Sequence, residues 1–140
     1  MSSQPFEIVP HTADIAVAVR GRNVEELFFN AALALHFILL GTHTAAEQIE
    51  KVVEVDSIDR DSLLIDWLNE LIYLVDAEQL AFARFEPLCL TETRARIRCY
   101  GSHLDLTQPG LARDVKAATY HMAHIESTAE GLSARVIFDV

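Results

Sequence analysis

Apolar positions along the chain alternate first with a strand period and then with a helical one. Phe6 to Val9 is a short apolar-rich run ended by Pro10, and in Ile15 to Arg20 the residues Ile15, Val17 and Val19 share one face of a strand. Gly21 stops that strand. Asn23 followed by Glu26 has the spacing of a capping box, with Asn in place of Ser or Thr, and Glu25 and Glu26 suit the positive end of a helix. The helix is expected from Val24 to about Leu40, with Gly41 placed to end it. Lys51 to Ile58 alternates Val53 and Val55 against Glu54 and Asp56, again a strand pattern. Asp59, Asp61 and Ser62 then offer N-caps for a second helix ending near Asp76. Its Leu64, Leu68, Leu71 and Val75 form one buried stripe, with Asp66, Asn69, Glu70 and Tyr73 on the opposite side.

Beyond residue 80 the pattern belongs to strands. Ala81 to Leu90 and Arg94 to Tyr100 flank Thr91-Glu92-Thr93 as a hairpin would. Leu104 to Arg113 reads as a loop around Pro109-Gly110. Val115 to Ile125 and Ser133 to Val140 follow as two more strands, separated by Glu130-Gly131. No repeat, low-complexity tract or linker divides the chain. The expectation is a single domain over residues 1–140 of the α+β class: one mixed sheet of about six strands with two helices packed on it.

Composition narrows the function. A chain of 140 residues, 51% hydrophobic, is long enough for a real core and too apolar for intrinsic disorder. A formal net charge of −10 argues against binding nucleic acid by phosphate neutralisation and against docking on an anionic membrane. Cys89 and Cys99 are too few for a disulfide framework, and no secretory signal is visible at the N-terminus. Val24 to Leu40 carries Glu25 and Glu26 at its start and reads as a buried helix rather than a membrane span. A cytoplasmic protein with free thiols is expected.

Most routes to chemistry find no support in the residues. The five glycines have neither Rossmann nor P-loop spacing. His121 and His124 would point to opposite faces of a strand, and no CxxC or HExxH occurs, so zinc is disfavoured. His36, on an almost wholly apolar helix, is expected as a hydrogen-bonded core or edge residue. Cys89, between Leu88 and Leu90, reads as a small hydrophobe in a strand. Arg94, Arg96 and Arg98 form a row on one strand face, best explained by acids on the neighbouring strand. The carboxylates near the two ends are more informative. Asp14 closes the polar segment His11-Thr12-Ala13 just before a strand, Asp139 is penultimate, and Val140 carries a terminal carboxylate. If the first and last strands are neighbours, three anionic groups meet at one sheet end, and an all-oxygen set selects calcium or magnesium over zinc.

The chain resembles the archease family. The resemblance is carried by His11-Thr12-Ala13-Asp14-Ile15, the helix from Glu25-Glu26-Leu27-Phe28 to Ala34, and Leu63-Leu64-Ile65-Asp66-Trp67-Leu68-Asn69-Glu70-Leu71. Val115-Lys116-Ala117-Ala118-Thr119-Tyr120-His121 and the terminal Phe138-Asp139-Val140 complete it, in the family's order and over almost the whole chain. Ala16 departs from the family's usual glycine, and the loop before Lys116 is short. The resemblance implies a small acidic protein that activates the RtcB-type RNA ligase of tRNA splicing and RNA repair, promoting its guanylylation and repeated turnover, rather than an enzyme. It further implies a divalent cation, calcium foremost with magnesium or manganese as alternatives, held by residues matching Asp14, Asp139 and Val140. Lys116, one of two lysines, matches a residue needed for activation. RNA would be met only through the ligase. Competing readings are a chaperone-like module for RNA-processing proteins and a metal-dependent phosphoester hydrolase.

Overall fold

Both expected helices form, and each starts where a polar side chain caps it. The computed structural model describes residues 5–9, 14–41, 45–105, 107 and 115–140. Helix α1 spans Val24–Leu40, and the Asn23 side chain accepts the Glu26 N–H at 2.8 Å. The other half of the expected capping box is displaced by one residue, because the Glu26 carboxylate accepts the Arg22 N–H at 3.0 Å and also binds its guanidinium. Gly41, at φ 63°, ends the helix by returning its N–H to the Phe37 carbonyl. Helix α2 spans Arg60–Glu78, capped by Asp59, which accepts the Ser62 N–H at 2.7 Å. Asp61, the other acidic cap candidate, is employed elsewhere.

Among the described residues eight strands accompany the helices: β1 (Phe6–Val9), β2 (Asp14–Gly21), β3 (Ile49–Asp56), β4 (Leu80–Leu90), β5 (Arg94–His103), β6 (Ala117–Thr119), β7 (Ile125–Thr128) and β8 (Gly131–Asp139). The α+β class holds, but the single mixed sheet does not. The strands divide into a five-stranded sheet, β1-β2-β8-β6 with β7 also on β8, and a three-stranded sheet, β3-β5-β4; every pairing is antiparallel. The reason is that β8 returns to lie beside β2, closing a sheet from the two ends of the chain, while β3 pairs with the hairpin β4–β5. Periodicity reports that a strand exists and which face is buried, not which strand it joins. The strand expected over Val115 to Ile125 is likewise broken in two around a turn at Met122, whose φ is 58°. The loop expected over 104–113 falls largely outside the described residues.

Each helix touches both sheets, so the pair forms a layer between them. Trp67, fully buried on α2, donates its indole N–H to the Phe28 carbonyl of α1 at 3.0 Å and so ties the helices together. Gly21 lets the end of β2 run against the start of α1, since a Cβ there would lie 2.4 Å from the Leu27 nitrogen. His36 is the hydrogen-bonded core residue that its sequence context suggests. Its Nε2 accepts the Phe82 N–H of β4 at 3.1 Å, which leaves Nδ1 as the protonated nitrogen that donates to the Ala32 carbonyl at 2.7 Å. Burial lowers its pKa from the ordinary value, so the ring is held neutral.

Candidate functional site

The two ends of the described chain meet in the five-stranded sheet. Strands β2 and β8 run antiparallel in unbroken register, and their outermost pair is Asp14 opposite Asp139. Ile15, Val17 and Val19, with their partners Phe138, Val136 and Ala134, face the helices, so alternation turns Asp14 and Asp139 onto the other face together. Directly opposed residues have Cβ atoms about 5 Å apart, and like charges so placed repel. Asp139 is exposed, whereas Asp14 is half-buried with its Oδ1 atom shielded from solvent. Lys116 stands beside the pair: its backbone N–H donates to the Asp139 carbonyl at 2.8 Å, and Ala117 then pairs with Asp139. Its side chain is exposed. Val140 follows Asp139 and packs partly against the core.

The donor chemistry suits a hard divalent cation, since Asp14, Asp139 and the main-chain oxygens of Val140 offer oxygen alone. Among the described residues no group of three His, Cys, Asp or Glu side chains is placed to hold an ion.

Behind Lys116, helix α2 grips the segment that follows it. Asn69 makes two hydrogen bonds to one residue, donating to the Ala118 carbonyl at 3.0 Å and accepting the Ala118 N–H at 2.8 Å. The Tyr120 hydroxyl donates to the Asp66 carboxylate, which raises the tyrosine pKa. Asp61 accepts the Ile125 N–H at 2.9 Å and lies 3.0 Å from His124 Nδ1. The polar side of α2, which periodicity assigns to solvent, is therefore the clasp for β6 and β7. Helical spacing located these residues, but only their partners, about fifty residues later, give them a role. His121 is exposed, and with residues 120–124 outside any strand the opposite-face argument does not apply to it and His124.

The arginine row behaves as the sequence suggests. Arg94 pairs with Glu54, Arg98 pairs with Glu86 at 3.0 Å and Glu50 at 3.4 Å, and Arg96 faces Glu54 across the ladder. The thiols differ from each other. Cys99 is buried and its pKa is pushed up to about 12, whereas Cys89 lies in a strand, β4, as expected, and is exposed there. A groove of about 890 Å³ that the sequence does not announce opens at the far end of the β2–β8 ladder, between Arg20, Arg135, Ser133 and Glu126.

Two antiparallel sheets around a helical layer, with a carboxylate pair where strands β2 and β8 join, define the class of this α+β protein. The chain belongs to the archease family: the family described as Archease protein family (MTH1598/TM1083) matches residues 6–140. It is 34% identical to the protein archease of Methanosarcina barkeri, covering 100% of each chain. The solution structure of protein 1598 of Methanobacterium thermoautotrophicum superposes with a TM-score of 0.78 at 31% identity, covering 98% of this chain and 99% of that one. The crystal structure of an archease and possible chaperone from Thermotoga maritima, at 24% identity and a TM-score of 0.64, covers 94% of each and shares the fold.

Proposed function

We propose that this chain activates an RtcB-type RNA ligase in tRNA splicing or RNA repair, as a protein cofactor and not as a catalyst. In this reading it works in the cytoplasm, promotes guanylylation of the ligase's active-site histidine and permits repeated turnover. Asp14, Asp139 and the main-chain oxygens of Val140 hold a divalent hard cation, calcium foremost, with magnesium or manganese as alternatives. Bound there, the ion supplies charge neutralisation and a template for anionic groups. Lys116 presents a mobile cationic head beside the pair, suited to phosphate or carboxylate, while its backbone stays fixed to Asp139. The net charge of −10 favours a basic partner over RNA itself.

The supporting observation is the register that sets Asp14 against Asp139 with Lys116 bonded alongside. A guanylylation time course with the chain below equimolar amounts tests the reading. Acceleration supports activation. Protection of the ligase from aggregation without acceleration supports a holding role, the second reading suggested by the "possible chaperone" description of the Thermotoga maritima protein. Asp14→Ala is expected to lose both calcium binding, measured by calorimetry, and acceleration; retention of both overturns the cation assignment. Lys116→Ala is expected to keep calcium and lose acceleration.

A further inference from the structure

One buried hydroxyl near the carboxylate pair has no hydrogen-bond partner among the described residues. Thr119 Oγ1 is shielded from solvent and meets no donor or acceptor among the described residues. An orphan buried hydroxyl costs about 1–3 kcal/mol of desolvation, a cost that a bound water or ion removes. The register shows where it sits. Ala117 pairs with Asp139 and Thr119 with Ile137, so Thr119 is the diagonal neighbour of Asp139 on strand β6. Ile137 also faces Ala16, and Asp139 faces Asp14, across the opposite edge of β8. Asp14, Asp139 and Thr119 therefore share one face of the sheet, on either side of β8. That face is dry at this point, with Ala16 2% and Ile137 8% exposed. The hydroxyl of Thr119 is thus aimed away from the helices and onto the carboxylate face, where no atom of the described residues satisfies it.

We infer that Thr119 is a positioning residue of the cation site, its hydroxyl bonded to a water that the cation carries. This rests on the cation reading above. Diagonal neighbours in an antiparallel pair have Cβ atoms about 7 Å apart, a gap that one water closes between two short side chains. Calcium and magnesium both keep waters when their protein ligands are few, and two carboxylates with main-chain oxygens are few. Bonds beyond the direct ligands fix how such a shell is oriented, and their loss typically costs ten- to a hundredfold in affinity.

The assignment separates two effects that a structural threonine would join. Thr119→Val keeps the shape and β-branching but removes the hydroxyl. In chelator it removes an unsatisfied group, so the melting temperature is expected to stay level or rise. Calcium affinity by calorimetry is expected to fall about tenfold, and the calcium-induced rise in melting temperature to shrink with it. Thr119→Ser is expected to bind calcium as the unmodified chain does. A Thr119→Val chain that binds calcium with unchanged affinity overturns the inference and leaves the cation site standing. A fall in melting temperature in chelator overturns it as well, because the hydroxyl then has a partner within the protein. If the unmodified chain takes up neither calcium, magnesium nor manganese, the cation reading itself is overturned, and the role of Thr119 with it.

Discussion

At the scale of single residues, His36 shows how burial converts a common titratable group into a pH-dependent part of the core. Its two ring nitrogens are both occupied by backbone groups, one on its own helix and one on β4. The folded pKa lies below the ordinary 6.5, so the unfolded chain takes up the proton first as pH falls. Its contribution to stability is therefore complete above about pH 6.5 and is lost progressively as pH drops toward the lower folded value. Denaturant midpoints at about pH 7.5 and about pH 5 are expected to differ more for the unmodified chain than for His36→Gln. His36→Gln is also expected to be less stable throughout, by about 1–3 kcal/mol. Equal pH slopes in the two chains would show that His36 is not the group responsible.

At the scale of elements, the contact between α2 and β6 does the positioning. Strand β6 is only three residues long and offers few ladder bonds to hold its register. Asn69 compensates by bonding to both backbone groups of Ala118, two residues beyond Lys116. Asn69→Leu is expected to cost about 2 kcal/mol, since it leaves a part-buried N–H and C=O unmatched. Hydrogen exchange at the Ala118 amide should accelerate, and Lys116 should lose its fixed relation to Asp139. Unchanged exchange at Ala118 would mean that the sheet holds β6 without the helix. These clasp residues lie in two of the segments that carry the family resemblance, residues 63–71 and 115–121. The two segments touch through the Asn69–Ala118 and Asp66–Tyr120 hydrogen bonds.

At the scale of the molecule, charge governs how a partner is met. A surplus of ten negative charges steers a basic partner from a distance, and added salt screens that field. Association with an RtcB-type ligase is expected to slow roughly tenfold between low and high salt, with dissociation little changed. A salt-insensitive association rate would argue for a contact that is mainly apolar. The arginine row does not oppose this, because Glu50, Glu54 and Glu86 lie within bonding distance of it. The field that reaches a partner is therefore the net one.

By itself the sequence determined the local structure: both helices with Asn23 and Asp59 as caps, the strand faces, the hydrogen-bonded setting of His36 and the paired arginines. These depend on neighbours within a turn or on the pleat, and periodicity and capping chemistry record such neighbours directly. Tertiary structure alone decided the rest. It split the strands between two sheets, broke residues 115–125 at Met122, which has no glycine to signal a positive φ, and turned the polar side of α2 into a clasp. The sequence named Asp14 and Asp139 as candidates, but only the β2–β8 register made them a pair and put Thr119 on their face. Strand pairing is a contact between residues far apart in the chain. No local pattern specifies its partner, because any strand with a matching apolar face satisfies the same alternation.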